Sequence, residues 1–155
     1  MIITEKGSIK TNSYNEIAKI DEYRKFNYVL FTKSFFLENI KKISSQKNKG
    51  LWLNSDEKRE DISNHIHTFS LINVRFLSFK DGRPFSISKD LREIFSYKNE
   101  IRASGQILPD QLIFLLKCGF NSVEIDKTKK DTWLNIFKND SRQDYQTWIS
   151  LRLRL

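Results

Sequence analysis

Leu71-Ile72-Asn73-Val74-Arg75-Phe76-Leu77 is the longest strand candidate in the chain, and the residues after it decide the fold. Ile87, Leu91, Ile94 and Phe95 follow at helical spacing behind a start at Ser86 or Ser88, and Glu100-Ile101-Arg102-Ala103 reads as a second, shorter strand. Strand, helix and strand make one βα unit, whose two strands lie parallel because the helix carries the chain back across the sheet.

The same reading extends outward in both directions. Pro109 suits the first turn of a further helix, since its missing N–H is no loss there, and Leu112, Leu115 and Leu116 line that helix's buried face. Gly119 stands where a helix end favours a left-handed residue, and Val123–Ile125 is the next strand. A Lys-rich turn then leads to one or two helices around Trp133–Phe137 and Tyr145–Leu151. Toward the start, Tyr28-Val29-Leu30-Phe31 is a short apolar strand, and Ser34 can cap a helix with Phe36, Ile40 and Ile43 on one face. Leu51-Trp52-Leu53 is the strand after it, and Asp56 to Phe69 repeats the helical spacing at Ile62, Ile66 and Phe69. The prediction is an α/β fold with a mostly parallel sheet of about five strands in a βα repeat, flanked by helices. Residues 1–26 stand outside the repeat and are expected to form an arm or short hairpin; residues 27–155 form a single α/β domain.

Composition supports a packed domain. The chain has 155 residues, 39% of them hydrophobic, with 12 Phe and 3 Trp, which is enough apolar material for a core. A lone cysteine, Cys118, excludes an internal disulfide and a thiolate cluster within one chain. No window approaches the roughly 20 apolar residues that span a bilayer, and the opening residues lack a secretory signal, so a cytoplasmic protein is expected. The net charge of +8 is spread over the flanks. Ten Lys/Arg face five Asp/Glu in residues 1–50, eight face eight in residues 51–100, and nine face six in residues 101–155. Such a distribution reads as a solvated Lys-rich surface; weak nucleic-acid binding through the basic flanks ranks last among the functions considered.

Ligands of parallel sheets collect at loops after the carboxyl ends of strands. Three loops are unusual: Phe79-Lys80-Asp81-Gly82-Arg83-Pro84-Phe85-Ser86; Arg102-Ala103-Ser104-Gly105-Gln106 with the following Pro109, Asp110 and Gln111; and Asp126 with its Lys neighbours. If the first two strands are neighbours, Arg83 and Arg102, with the backbone at Gly82 and Gly105, meet beside two helix starts as a site for a sulfate-, sulfite- or phosphate-sized anion. The competing reading is a tight Asp81-Gly82 turn in which Asp81 pairs with Arg83 or Arg102. Other signals fail. His65 and His67, two residues apart, point about 200° apart on a helix, so no metal site is expected. Cys118 lies near a helix C-terminus, where the dipole raises a thiol pKa, so packing is favoured over a redox role. There is no glycine-rich dinucleotide fingerprint and no P-loop, and no cofactor is predicted.

The run Phe79 to Ser86, then Leu91-Arg92-Glu93, then Glu100-Ile101-Arg102-Ala103-Ser104-Gly105-Gln106-Ile107-Leu108-Pro109-Asp110-Gln111, then Lys117-Cys118-Gly119-Phe120 and Glu124 resembles a bacterial family catalogued as domain of unknown function 934. The resemblance begins near Leu51 and extends toward residue 150. Members of that family typically lie beside genes for sulfite reductase and for the reductase of activated sulfate. The resemblance therefore implies a place in sulfite reduction and sulfur assimilation, as an accessory that binds sulfite reductase or another enzyme of that pathway or holds an anion. A small oxidoreductase-type enzyme acting on an oxyanion is the alternative. Arg83 and Arg102 would contact the anion, and Asp81, Ser86, Arg92, Asp110 and Gln111 would orient them or serve the fold. The chain departs from the family pattern at Pro84-Phe85, where the pattern has Gly-Tyr, and at Gln106 and Arg75, where it has Asp, so acid–base chemistry by those acids is not open to it.

Overall fold

Alternate residues of the strand at Leu71–Phe76 point to opposite faces of a sheet, and the two faces differ in kind. Ile72, Val74 and Phe76 join the apolar core, while Leu71, Asn73 and Arg75 face the other way. The computed structural model describes residues 1–140, so the helix expected around Tyr145–Leu151 lies outside the described residues.

The strands are β1 (Ile2–Thr4), β2 (Ile9–Lys10), β3 (Asn15–Glu16), β4 (Tyr28–Thr32), β5 (Asn48–Asn54), β6 (Leu71–Phe76), β7 (Glu100–Gly105) and β8 (Ser122–Glu124). The helices are α1 (Lys33–Ile43), α2 (Arg83–Glu93), α3 (Leu112–Lys117) and α4 (Lys130–Asp140), with 3-10 turns at Ile20–Lys25, Glu60–Thr68, Pro109–Gln111 and Lys127–Lys129. All eight strands form one sheet in the order β2-β1-β8-β7-β6-β5-β4-β3. From β3 to β8 every neighbouring pair is parallel; β1 runs antiparallel to β8 and β2 antiparallel to β1.

The α/β class is as expected, but the sheet is mixed and has eight strands rather than about five parallel ones. The additional strands are the two- and three-residue segments β1, β2 and β3, too short to show a period in sequence. Residues 2–10 do form a hairpin, and it joins the sheet through the pairing of β1 with β8. Three local expectations change as well. Thr32, not Ser34, caps α1, its hydroxyl accepting from the Phe35 N–H at 3.3 Å. The Asp56–Phe69 helix is a run of 3-10 turns at Glu60–Thr68, which still buries Ile62 and Ile66. Helix α2 starts at Arg83 rather than at Ser86 or Ser88, because Pro84 pre-sets the first turn. It ends at Glu93, and the turn at Ser96, with φ 51°, leaves Ile94 exposed instead of buried.

Strands β3 to β8 lie in chain order, so right-handed crossovers put every connecting segment on the same face. The buried side chains agree. Phe36, Ile66, Leu91, Leu115 and Trp133 from the helical segments all join one cluster with Phe31, Leu53, Val74 and Ala103 from the sheet. Burying a Phe or Leu side chain in such a cluster stabilises by about 1.5–3 kcal/mol. The opposite face carries Leu30, Thr32, Trp52, Asn54, Asn73, Arg75, Glu100, Arg102, Ser104 and Ser122, which are mostly polar. No helix of the described residues is long and apolar enough to cross a membrane.

Candidate functional site

The loop after β6 folds back on itself. Arg83 Nε and Nη2 donate to the two carboxylate oxygens of Asp81 at 2.9 and 2.8 Å, and the Arg83 N–H donates to Asp81 Oδ1 at 3.1 Å. Arg83 Nη2 also reaches Ser55 Oγ at 3.5 Å. The Arg83 fork holds the Asp81 carboxyl well below the usual aspartate range. Gly82, just ahead of α2, has φ −82° and open space where a Cβ would be, so nothing there requires glycine. Ser86 is exposed in the first turn of α2, and Asp110 is exposed in the turn at Pro109–Gln111. Gln111 staples two of the motif loops: its Oε1 accepts from the Leu108 N–H at 3.0 Å and its Nε2 donates to the Phe79 carbonyl at 3.2 Å.

Arg102 is somewhere else. It is the third residue of β7, 4% exposed, and its side chain lies on the polar face of the sheet. Nε and Nη2 donate to Glu100 Oε1 at 3.0 and 2.9 Å, and Nη1 donates to Asn12 Oδ1 at 3.0 Å. Ser122 Oγ on β8 donates to the same Glu100 oxygen at 2.5 Å. The guanidinium lies 5.6 Å from the centre of the Tyr14 ring, and Tyr14 Oη is 2.9 Å from Ser70 Oγ. The structure thus separates Arg83 from Arg102, and the shared rim expected of them does not form. Each is matched by a carboxylate two residues before it. Gly105 has its own reason: with φ 92°, a Cβ there would overlap the Phe76 carbonyl oxygen.

Residues 12–14 lie across the polar face. Gly50 leaves room for this, since a Cβ there would lie 3.2 Å from Tyr14 Cε1 and 2.8 Å from Leu30 Cδ1. Burial pushes the Tyr14 phenol up, so it stays neutral at physiological pH. Between this crossing segment, the β1–β2 hairpin and the start of β7 is a cleft of about 520 Å³. Lys6, Lys10, Lys98 and Arg102 line it against Glu5 and Glu100, with Ser8, Thr11, Asn121 and Ser122 supplying neutral polar groups. Among the described residues no carboxylate pairs with Lys6, Lys10 or Lys98.

Arg92 does structural work. Nε donates to the Gly119 carbonyl at 3.0 Å, Nη1 to the Tyr97 and Asn99 carbonyls at 2.5 and 2.9 Å, and Nη2 to Asn121 Oδ1. Asn121 Oδ1 also accepts from the Ile101 N–H at 3.0 Å, so the guanidinium ties α2 to β7 and to the turn before β8. Cys118 is half-buried at the end of α3, and burial pushes its thiol up.

Sequence reasoning missed Asn12, Tyr14, Glu100, Ser122 and the three lysines. A signal was present for the strand residues. Glu100, Arg102 and Ser104 alternate with Ile101 and Ala103, which places three polar groups on one face of a buried strand.

Comparison with known proteins adds one match. The model of a family described as bacterial protein of unknown function (DUF934) covers residues 50–152, more than half of the chain. The matched segment contains Lys98, Glu100, Arg102 and Ser122; Lys6, Lys10, Asn12 and Tyr14 precede it. Neither a curated protein nor a solved structure matches the chain.

Proposed function

The chain belongs to the bacterial DUF934 family, and from that premise we propose that it is an anion-binding accessory of sulfite reduction whose ligand sits in the Arg102 cleft. One observation carries the ligand class. Four cationic side chains line that cleft against two carboxylates, and Glu100 is already engaged by Arg102 and Ser122. A small oxyanion entering the cleft gains the field of Lys6, Lys10 and Lys98 together with hydroxyl and amide donors. Arg102, held between Glu100 and Asn12, serves as a fixed positive floor rather than a mobile arm. The sequence resemblance to that family implies the pathway, and it makes sulfite reductase the partner to test.

Calorimetric titration with sulfite and sulfate at low ionic strength tests the ligand. Each exposed cation contributes about 1 kcal/mol or less to an ion at contact. The double substitution Lys6→Ala and Lys98→Ala should therefore weaken binding by roughly 5- to 20-fold, and added salt should weaken it further. Heats equal to a buffer blank, or equal affinity in both proteins, would remove the anion site. Capture of sulfite reductase subunits from a native lysate at gentle salt tests the partnership separately, and their absence from the captured fraction counts against it.

A further inference from the structure

A second cleft opens on the same polar face, at the carboxyl ends of β4, β5 and β6, with a volume of about 730 Å³. It shares no lining residue with the Arg102 cleft. Its charged groups are Arg75 of β6, Glu38 of α1 and Glu16 of β3. The exposed Arg75 guanidinium lies 5.2 Å from the centre of the Trp52 ring, and among the described residues no carboxylate pairs with it. Neither does any cation among them pair with Glu38 or Glu16. Leu30, Phe35 and Trp52 supply an apolar lining between the charges. The Trp52 indole N–H is buried and has no acceptor among the described residues. Asn73, directly opposite Trp52 in the sheet and wholly buried, likewise keeps one polar atom of its amide without a partner. Buried donors are rarely left unpaired, and Trp52 lines the cleft, where a ligand can supply the acceptor its indole N–H lacks.

We propose that this cleft binds a zwitterion with an apolar body, an amino acid or short peptide whose carboxylate meets Arg75 and whose ammonium group meets Glu38 or Glu16. Opposite charges in one cleft that do not pair with each other complement a ligand charged at both ends. A simple anion would meet Arg75 but be repelled by the two carboxylates, and a simple cation would face the reverse. The planar guanidinium, 5.2 Å from the centre of the indole ring, offers the paired N–H groups that meet a carboxylate bidentately. An apolar body covers Leu30, Phe35 and Trp52 and excludes water from both ion contacts.

The proposal stands independently of the anion-binding role, because the two clefts have different walls. Calorimetry with methionine, leucyl-leucine, N-acetyl-leucyl-leucine and leucyl-leucine amide reads it directly. At least one of the two unblocked zwitterions should bind, and which binds more tightly reports the spacing the cleft accepts. Blocking either end of leucyl-leucine should cost at least tenfold in affinity. Arg75→Gln should abolish the preference for the free carboxylate while keeping the preference for the free amine. Glu38→Gln together with Glu16→Gln should do the opposite, with unchanged circular dichroism confirming the fold of each variant. Absence of binding by both zwitterions overturns the proposal, as does equal affinity for blocked and unblocked peptide. Sulfite titration of the Arg75→Gln variant should match the wild type; a loss there would assign the anion to this cleft instead and overturn the separation of the two sites.

Discussion

Replacing Arg92 with Ala should unfold the protein more readily than any other surface-charge substitution in the chain. The guanidinium donates to three main-chain carbonyls, of Gly119, Tyr97 and Asn99, and to the side-chain oxygen of Asn121. A hydrogen bond from a charged donor contributes about 1.5–3 kcal/mol, and an acceptor stripped of it is costly only where water cannot replace it. The bond to Asn99 is exposed and the other three are partly buried, so water recovers part of the loss. The aliphatic stem adds packing: its Cγ sits over Gly119, where a Cβ would approach to 2.7 Å. The expected destabilisation is about 3 kcal/mol, or roughly 10 °C in Tm for a chain of this size. Urea unfolding followed by far-UV circular dichroism and tryptophan fluorescence measures it, with the slope against urea unchanged. Arg92→Lys should recover less than half, since one ammonium cannot reach acceptors on both sides of the fork. A loss below about 1 kcal/mol, or full recovery with lysine, would refute the view that this residue holds α2 to the sheet.

Two glycines of the family motif should respond in opposite ways. Gly82→Ala, at φ −82° with free space, should be neutral or stabilise by about 0.4–1 kcal/mol, whereas Gly105→Ala, at φ 92° against the Phe76 carbonyl, should cost about 2 kcal/mol or more in the same unfolding assay. The Asp81–Arg83 pair should give acid sensitivity: the folded carboxyl titrates below its unfolded value, so its stabilisation is complete above the ordinary aspartate range near about 4 and fades as pH falls through the lower folded value. The stability difference between wild type and Asp81→Asn, measured from pH 7 downward, should therefore shrink below about pH 4, and a constant difference would argue against the pairing. With burial raising its thiol, Cys118 should react with a disulfide reagent at pH 7 more slowly than free cysteine, and native rates equal to those in denaturant would contradict that.

The inner strands were legible because each is apolar enough to leave a trace. Tyr28–Phe31, Leu51–Leu53, Leu71–Leu77 and Val123–Ile125 all fall within a residue of an observed strand or inside it. Gly119 was legible too, and its φ of 105° is the left-handed value a helix end asks for. The edges were not. Hairpin β1–β2 docks on β8, far away in sequence, and strand β3 is only two residues long, so neither leaves a local pattern. The shared rim of Arg83 and Arg102 does not form for a specific reason. Ending β7 at Ala103 put Arg102 at the rim, but the strand runs on to Gly105, so Arg102 is an inner residue of the polar face. A shift of two residues at one strand end relocates a guanidinium from a loop to the floor of a cleft.

The pairing of β1 with β8 also sets an order of events. The Met1 ammonium donates to the carbonyl of Ile125, 124 residues away, and the first strand has no other inner neighbour in the sheet. On a ribosome residues 2–4 must wait, exposed, until β8 has emerged, because the edge on which they dock is synthesised so much later. The successive parallel strands can assemble as they appear, each beside the one before, at little cost in loop closure. Closure by the β1–β2 hairpin then acts as a latch, thrown only after translation has passed β8.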